Sequence, residues 1–549
     1  MHIYQGKSVL EGVAIGPLRL MHSQKPTITD AKGEGAEKEE AKFRAAQQKA
    51  VSILQKLYES ALSSVGKSDA EIFAMHIDMT EDLDLEDAVI DRIKQGANAA
   101  YAVKEAGNEI AKTFAQMEDE YMQARSVDVL DVCNRLCNCI LGIEEESVRL
   151  STPCILAASD LTPAQIMQLD KSLVLGFVTA RGSNNSHTAI LARTLSLPSV
   201  VNTQTEIPEK FDGCLCVIDG FTGKVYINPD EATLQQYKQK QTELLAEREM
   251  LASLKNAESV TKDGKKTAIL ANVGRSLECD VAIESGAEGV GLFRSEFLYL
   301  ESTDYPTEEA QFAEYSAAVQ KMQGRPIVIR TMDIGADKQA KYFQLPPEEN
   351  PALGYRSVRI CFDRPQILKT QLRAIYRASA FGNLSVMIPM ITSLQEVRFV
   401  KALAEEVKKE LSQEGVAFRA DMPIGIMIET PAAALIADEL AKEVDFFSVG
   451  TNDLTQYTLA IDRQNQALEK FYDPRHKALL RLIRFAADAI HAQGKWIGIC
   501  GELARDLTLT EFFLKIGIDE LSVSAPYILP LRKRVQSIDT RSVLLETWL

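Results

Sequence analysis

Five apolar, β-prone runs in the second half of the chain each hand over to a polar residue. Gly289–Phe293 leads into Arg294, Pro326–Arg330 ends on Arg330, and Ile424–Ile428 leads into Glu429. Asp445–Val449 leads into Gly450-Thr451-Asn452-Asp453, and Trp496–Ile499 leads into Cys500. One charged side chain after a strand ordinarily faces solvent; five strands delivering such groups at the same end describe a rim on which side chains converge. Arg294, Arg330 and Arg463, with Arg356 as a further candidate, are permanently charged forks that match phosphate and carboxylate. Glu429 and Asp453 are hard oxygen donors, suited to Mg²⁺ with substrate oxygens and water completing an octahedron. The competing reading of that pair is a salt-bridge network with the same arginines. Cations, carboxylates and room for a divalent metal suggest a small phosphorylated acid as the ligand.

Two further residues carry proton and nucleophile chemistry. Cys500 lies in Gly498-Ile499-Cys500-Gly501-Glu502, a glycine-flanked position at the same rim, where a thiol could donate or accept a proton. A lone cysteine after a strand also serves as a small buried apolar residue. His187 follows the small-residue approach Gly182-Ser183-Asn184-Asn185-Ser186 and precedes a helix-like stretch from Ala189 to Arg193. The free N–H groups and dipole of a helix N-terminus favour a negatively charged group on the imidazole, and a neutral imidazole is a competent phosphoryl acceptor. The alternative is a helix-capping or core histidine.

Four kinds of element must position these groups. After Ser259 eight β-prone runs alternate with helix-like segments: Thr267–Val273, Gly289–Phe293, Pro326–Arg330, Leu384–Pro389, Ile424–Ile428, Asp445–Val449, Trp496–Ile499 and Glu520–Val523. That pattern fits the roughly 250-residue length of a (β/α)8 barrel, whose sites lie at the C-terminal ends of the strands. Short apolar runs between Cys154 and Ile227, punctuated by Gly and Pro, predict a compact α/β unit. Val9–Leu20, read as a strand pair broken at Gly12 and Gly16, would complete it. Between these, Ala31 to Ile143 is charged, helix-forming and almost free of Pro, which predicts four or five helices inserted into the α/β unit. The expected organisation is therefore an α/β multidomain protein. Residues 1–30 and 144–230 form the α/β unit, 31–143 a helical bundle, 231–258 a polar linker helix and 259–549 the barrel.

Composition excludes several classes. The 549 residues carry a net charge of −16, which argues against a protein that coats nucleic acid or anionic membrane. No run approaches the roughly 18 apolar residues of a membrane span, and Met1–Ser8 lacks the pattern of a signal peptide. Nine scattered cysteines do not make a disulfide framework, so a cytoplasmic location is expected.

The motifs Gly291-Leu292-Phe293-Arg294-Ser295-Glu296-Phe297, Arg330-Thr331-Met332-Asp333-Ile334-Gly335, Ile428-Glu429-Thr430-Pro431, Gly450-Thr451-Asn452-Asp453-Leu454 and Cys500-Gly501-Glu502-Leu503-Ala504 resemble Enzyme I of the bacterial phosphoenolpyruvate:sugar phosphotransferase system. The resemblance covers essentially the whole chain. It implies phosphoenolpyruvate binding by Arg294, Arg330, Asn452, Asp453 and Arg463, and Mg²⁺ held by Glu429 and Asp453. It further implies protonation of enolpyruvate by Cys500, and phosphoryl transfer to His187 and then to the carrier protein HPr. It also implies a homodimer. The helical block matches a carrier-docking module, with His76 and Arg125 as partner-binding residues beside Glu71-Ile72-Phe73, Glu81-Asp82 and Asp119-Glu120-Tyr121. Between Lys67 and Lys94 nine acidic residues face three basic ones, which suits a basic carrier. Two positions depart from the family pattern: the approach to His187 lacks the usual Arg, and Ala336 stands where Gly is common. A regulatory protein that senses phosphoenolpyruvate without turnover is the rival expectation. Because His187 must serve two partners, a swivel about Ile143–Ser151 and Pro229–Ala257 is also expected.

Overall fold

The computed structural model describes residues 1–21, 28–30, 32–64, 67–116, 120–143, 150–159, 161, 169–182, 192, 197–335 and 340–548. The chain divides into two compact units, Met1–Ala246 and Glu247–Leu549.

The first unit is built on eight strands: β1 His2–Gln5, β2 Lys7–Leu10, β3 Val13–Met21, β4 Cys154–Ala158, β5 Val174–Thr179, β6 Ser199–Val201, β7 Leu215–Asp219 and β8 Lys224–Ile227. Their order is β1-β8-β7-β3-β4-β5-β6-β2. β3 and β4 are parallel neighbours, yet five helices separate them in sequence: α1 Ala36–Ser64, α2 Lys67–Thr80, α3 Leu83–Lys94, α4 Ala99–Ala115 and α5 Glu120–Leu141. The N-terminal segment differs from the expected broken pair. It forms three strands, and β3 passes through Gly16, which pairs with Cys216 in the ladder to β7. A side chain at Gly16 would run into Leu175 Cδ1, so this glycine serves close packing and not a turn. Gly12, at φ 143°, does make the break between β2 and β3.

The helices start where the sequence offers caps. Asp82 accepts from the Asp84 and Leu85 N–H groups at the start of α3, and Asn98 accepts from the Tyr101 N–H in α4. Their apolar faces close a core around Phe43, Val89, Val103 and Leu136. The linker helix, α6 (Glu231–Ser253), is polar along its length, but its first half docks on the sheet. Tyr237 packs with Val13 and Val217 and donates its hydroxyl hydrogen to the buried Asp219 (3.0 Å), which also takes Lys240 Nζ at 3.3 Å.

The second unit is a closed parallel barrel of eight strands: β9 Ala268–Val273, β10 Val290–Arg294, β11 Ile327–Arg330, β12 Leu384–Ile388, β13 Ile424–Ile428, β14 Phe446–Val449, β15 Trp496–Ile499 and β16 Glu520–Val523. Both faces of such strands are covered, which is why they read as continuous apolar runs. Arg532, fully buried, fastens the end of α6 beneath the barrel. It donates to the carbonyls of Leu254, Lys255 and Gly286 and to Ser259 Oγ. No helix among the described residues is long and apolar enough to cross a membrane, and all nine cysteines are free.

Because the first unit closes its own cores, a fragment ending at Leu254 should fold alone. It should melt in one cooperative transition with strongly helical circular dichroism. A non-cooperative, largely disordered fragment would contradict this division.

Candidate active site at the barrel rim

The C-terminal ends of β10, β11, β13, β14 and β15 surround a cavity of about 330 Å³. Arg294, Arg330, Glu429, Asn452, Asp453, Arg463 and Cys500 all line it. The barrel brings together residues spread over more than two hundred positions because they lie at or beyond the ends of five different parallel strands, with Asn452, Asp453 and Arg463 all following β14.

Arg330 is the anchor. Its guanidinium is buried, donates to Glu296 and lies 3.4 Å from Asp333 Oδ2. Asp333, 1% exposed, is held in turn by Arg356 at 2.9 and 3.1 Å and by the Ser357 hydroxyl. Ser357 sits at φ 54°, a strained backbone for a residue with a side chain. Burial works against the charge on Arg330, but Glu296, Asp333 and Glu429 more than offset it and hold the group cationic. Arg356 is therefore placed behind the cavity as a support for Asp333. Arg294 forms no ion pair among the described residues, leaving its guanidinium available to an anion.

Glu429 is 1% exposed and accepts from the Met390 N–H at 2.6 Å. Met390 has φ 58°, a second strained residue aimed at a site carboxylate. Burial, then the charges of Asp333 and Asp453, push the Glu429 carboxyl up to about 8, against the pull of Arg330. Asp453 is 7% exposed; its Oδ1 makes no hydrogen bond and lies 3.5 Å from Arg463 Nη2. Asn452 Oδ1 accepts from the Glu502 N–H, which turns its amide N–H₂ group away to donate elsewhere. Burial raises the Cys500 thiol to about 11, so it carries its proton at neutral pH.

These observations test the fit of a divalent cation. Glu296, Asp333, Glu429 and Asp453 crowd the rim, Glu296 Oε2 and Asp453 Oδ1 are buried without a hydrogen bond, and Glu429 avoids ionising. An added cation relieves that repulsion, and Glu429 with Asp453 offers two oxygen donors, leaving other positions to substrate and water. Among the described residues no group of three or more His, Cys, Asp or Glu could hold a metal without such help. The residues fit Mg²⁺.

Sequence reasoning underrated Asp333 and Glu296. Both stand in the quoted motifs, at three residues after Arg330 and two after Arg294, and their charge beside an arginine was the available signal.

His187 and residues 183–186 before it lie outside the described residues, as do 336–339 with Ala336 and most of the expected Ile143–Ser151 hinge. Asp119 and the side chains of Glu71, Glu120 and Tyr121 do as well. His76 needs correction as a partner-binding residue. It is only 3% exposed, with Nε2 3.5 Å from Asp128 Oδ1, because it lies on the face of α2 that packs toward α5. Arg125 donates to the same Asp128 at 3.1 Å and remains partly exposed. Between Lys67 and Lys94 the exposed acidic residues, among those described, are Asp78, Glu81, Asp82, Asp84, Asp87 and Asp91.

The raised Glu429 carboxyl sets a pH dependence. Its contribution to stability is fully present below the ordinary carboxylate range and is lost as pH rises through about 8. Glu429→Gln should leave the melting temperature near pH 5 unchanged and raise it by several degrees near pH 8.5 in metal-free buffer. Equal melting temperatures at the two pH values in both proteins would contradict this environment for Glu429.

Residues 248–540 match the model for the PEP-binding domain of PEP-utilising enzymes, where PEP is phosphoenolpyruvate. Residues 5–125 match the N-terminal domain of the same enzymes and 150–223 their mobile domain. The phosphoenolpyruvate-protein phosphotransferase of Staphylococcus carnosus is 41% identical over 97% of this chain and 94% of its own. That of Haemophilus influenzae is 42% identical over 96% of this chain and 92% of its own. An Enzyme I protein solved by NMR is 36% identical and covers 44% of this chain and 99% of its own, with a TM-score of 0.38. With matched models spanning both units and relatives aligned almost end to end, the chain belongs to the PEP-utilising enzymes, in the family of the phosphoenolpyruvate-protein phosphotransferases.

Proposed function

We propose that this protein transfers the phosphoryl group of phosphoenolpyruvate to His187, and from there to a histidine of the carrier protein HPr, feeding sugar uptake. The observation that carries the reading is the convergence of Arg294, Arg330, Asn452, Arg463, Glu429, Asp453 and Cys500 on one cavity at the barrel rim. Arg294, Arg330 and Arg463 bind the phosphate and carboxylate of the substrate, and the Asn452 amide donates beside them. Asp333 and Glu296 keep Arg330 from following the ligand. Glu429 and Asp453 would hold Mg²⁺, which would supply charge neutralisation for the phosphoryl oxygens. A ring nitrogen of His187 bonds to phosphorus as the bridging P–O bond breaks; the electron pair stays on oxygen as an enolate, whose C3 then takes the proton of Cys500. Catalysis is then mostly positioning and charge stabilisation, as phosphoryl transfer requires.

The acidic face of α2 and α3 suits a basic carrier surface and would speed its encounter. Arg125 of α5, partly exposed and held by Asp128, is the cation of this reading, with His76 behind the same carboxylate. A homodimer and a cytoplasmic setting complete the proposal, following the family resemblance.

The test is incubation with ³²P-labelled phosphoenolpyruvate and Mg²⁺, followed by mapping of acid-labile label. Wild-type protein should carry it on His187 and pass it to added HPr. His187→Ala should lose the label while keeping phosphoenolpyruvate affinity within about twofold. Full labelling of the alanine variant would remove His187 from the reaction.

A further inference from the structure

The reaction proposed above leaves a thiolate on Cys500, inside the barrel, with the residue 2% exposed. The burial that holds the thiol neutral also makes that thiolate costly, so its proton has to be replaced from nearby. The barrel register offers a source. Ser448 of β14 pairs with Gly498 of β15, and Gly498 pairs with Glu520 of β16. These positions share the inward face, and Cys500, two residues beyond Gly498, points the same way one layer nearer the rim. Cys500 belongs to an inner apolar cluster with Leu292, Val328, Met387, Met427 and Phe446.

Glu520 puts a carboxyl group at a level of the barrel whose other polar side chains, Ser448, Ser522 and Asn272, are uncharged. It is 6% exposed, and among the described residues no cation or hydrogen-bond donor pairs with it. Two glycines make room for it. A Cβ at Gly498 would lie 3.4 Å from Glu520 Cδ, and one at Gly291 would collide with Glu520 Oε1 and Ser522 Oγ. Across the gap at Gly498, Ser448 Oγ is buried without a hydrogen-bond partner. On the other side, Ser522 Oγ donates to Asn272 Oδ1, and Asn272 Nδ2 donates to the Cys500 carbonyl. Ser522 and Asn272 thus form a hydrogen-bonded run to the Cys500 carbonyl, and the unpartnered Glu520 carboxyl and Ser448 hydroxyl lie on the same inward face, on either side of Gly498.

We infer that Glu520 acts through Cys500 as its proton reservoir, with the Ser448 hydroxyl bridging the gap at Gly498. When the thiol protonates the enolate, the S–H bond breaks, the C3–H bond forms and the electron pair stays on sulfur. The Ser448 hydroxyl passes its hydrogen to Sγ and takes one from the Glu520 carboxylic acid, which becomes a carboxylate and regains its proton from water. In the reverse direction the Glu520 carboxylate draws the proton from the thiol, and the thiolate abstracts a methyl hydrogen of pyruvate. Burial, with the neighbouring Asp519 adding to it, pushes Glu520 up to about 8, whereas Cys500 lies at about 11. The proton therefore moves downhill from carboxyl to thiolate. The charged groups in reach are Asp519 beside Glu520 and, facing the thiol, Arg330 and Glu429; β9 and β10 present the uncharged Asn272 and Gly291.

This inference rests on the proposed function, and the experiment separates the two. The full-length protein with Mg²⁺ and pyruvate in D₂O is followed by NMR for exchange of the pyruvate methyl hydrogens across about pH 6 to 11. The same samples are tested for labelling by phosphoenolpyruvate. In wild type the exchange rate should rise with a midpoint near 8, that of Glu520. In Glu520→Gln it should fall by roughly tenfold or more at neutral pH, with the rise displaced toward the thiol. A residue that merely supports the fold would lower the rate without moving the midpoint. Ser448→Ala, which keeps the acid and removes the bridge, should also slow exchange, and it decides the matter if Glu520→Gln does not fold. Wild-type protein that labels and exchanges, beside variants with its rate and midpoint, would overturn the inference alone. Wild-type protein that does neither would remove the proposed function and the inference with it.

Discussion

The buried guanidinium of Arg330 is the group around which the barrel rim is arranged. A charge at that depth is tolerated only when it is paired, and the chain supplies Glu296 and Asp333 for it. Asp333 then needs its own neutralisation, which Arg356 and Ser357 provide. The result is a chain of buried ions that fixes one arginine in place, at the cost of two strained backbone positions, Ser357 and Met390. The same accumulation of carboxylates leaves Glu429 reluctant to ionise and an oxygen of Asp453 without a hydrogen bond. A rim poised in this way favours an anion and a divalent cation entering together over either alone. Removing one partner from such a buried network typically costs about 3–5 kcal/mol, so these residues shape stability as well as chemistry.

The barrel interior continues the same economy of charge. Below the rim, Cys500 and Glu520 are both kept in their proton-bearing forms by burial. A dry interior with two weak acids and no paired base can hold one negative charge far more easily than two. That coupling turns a buried carboxyl, otherwise a liability for stability, into a means of restoring the thiol.

Much of this was legible in the sequence because parallel barrel strands are short, apolar and end in the residues they present. All eight strand cores fell on the runs read from the sequence, with ends shifted by at most one residue, as at Ala268–Val273 and Phe446–Val449. The rim residues were legible for the same reason: Arg294, Arg330, Glu429, Asp453 and Cys500 each sit at or just past a strand end. What the sequence hid was burial. His76 stands in an acidic, helix-forming stretch that reads as surface, and only the packing of α2 beside α5 turns it inward. Arg356 reads as one more phosphate fork, yet its partner is Asp333. Gly16 reads as a breaker because local sequence does not announce the Leu175 side chain that approaches it across the sheet. Glu520 drew no notice in the sequence, since a glutamate at the start of a strand ordinarily faces solvent.

The central claim is that the rim's crowded carboxylates make the substrate and a divalent cation bind as a pair. Calorimetric titration of phosphoenolpyruvate into the protein, with and without Mg²⁺, measures that coupling directly. Affinity should rise by tenfold or more when Mg²⁺ is present, equivalent to about 1.4 kcal/mol of coupling or more, and the gain should vanish in Asp453→Ala. Phosphoenolpyruvate affinity that is the same with and without Mg²⁺ would contradict the account.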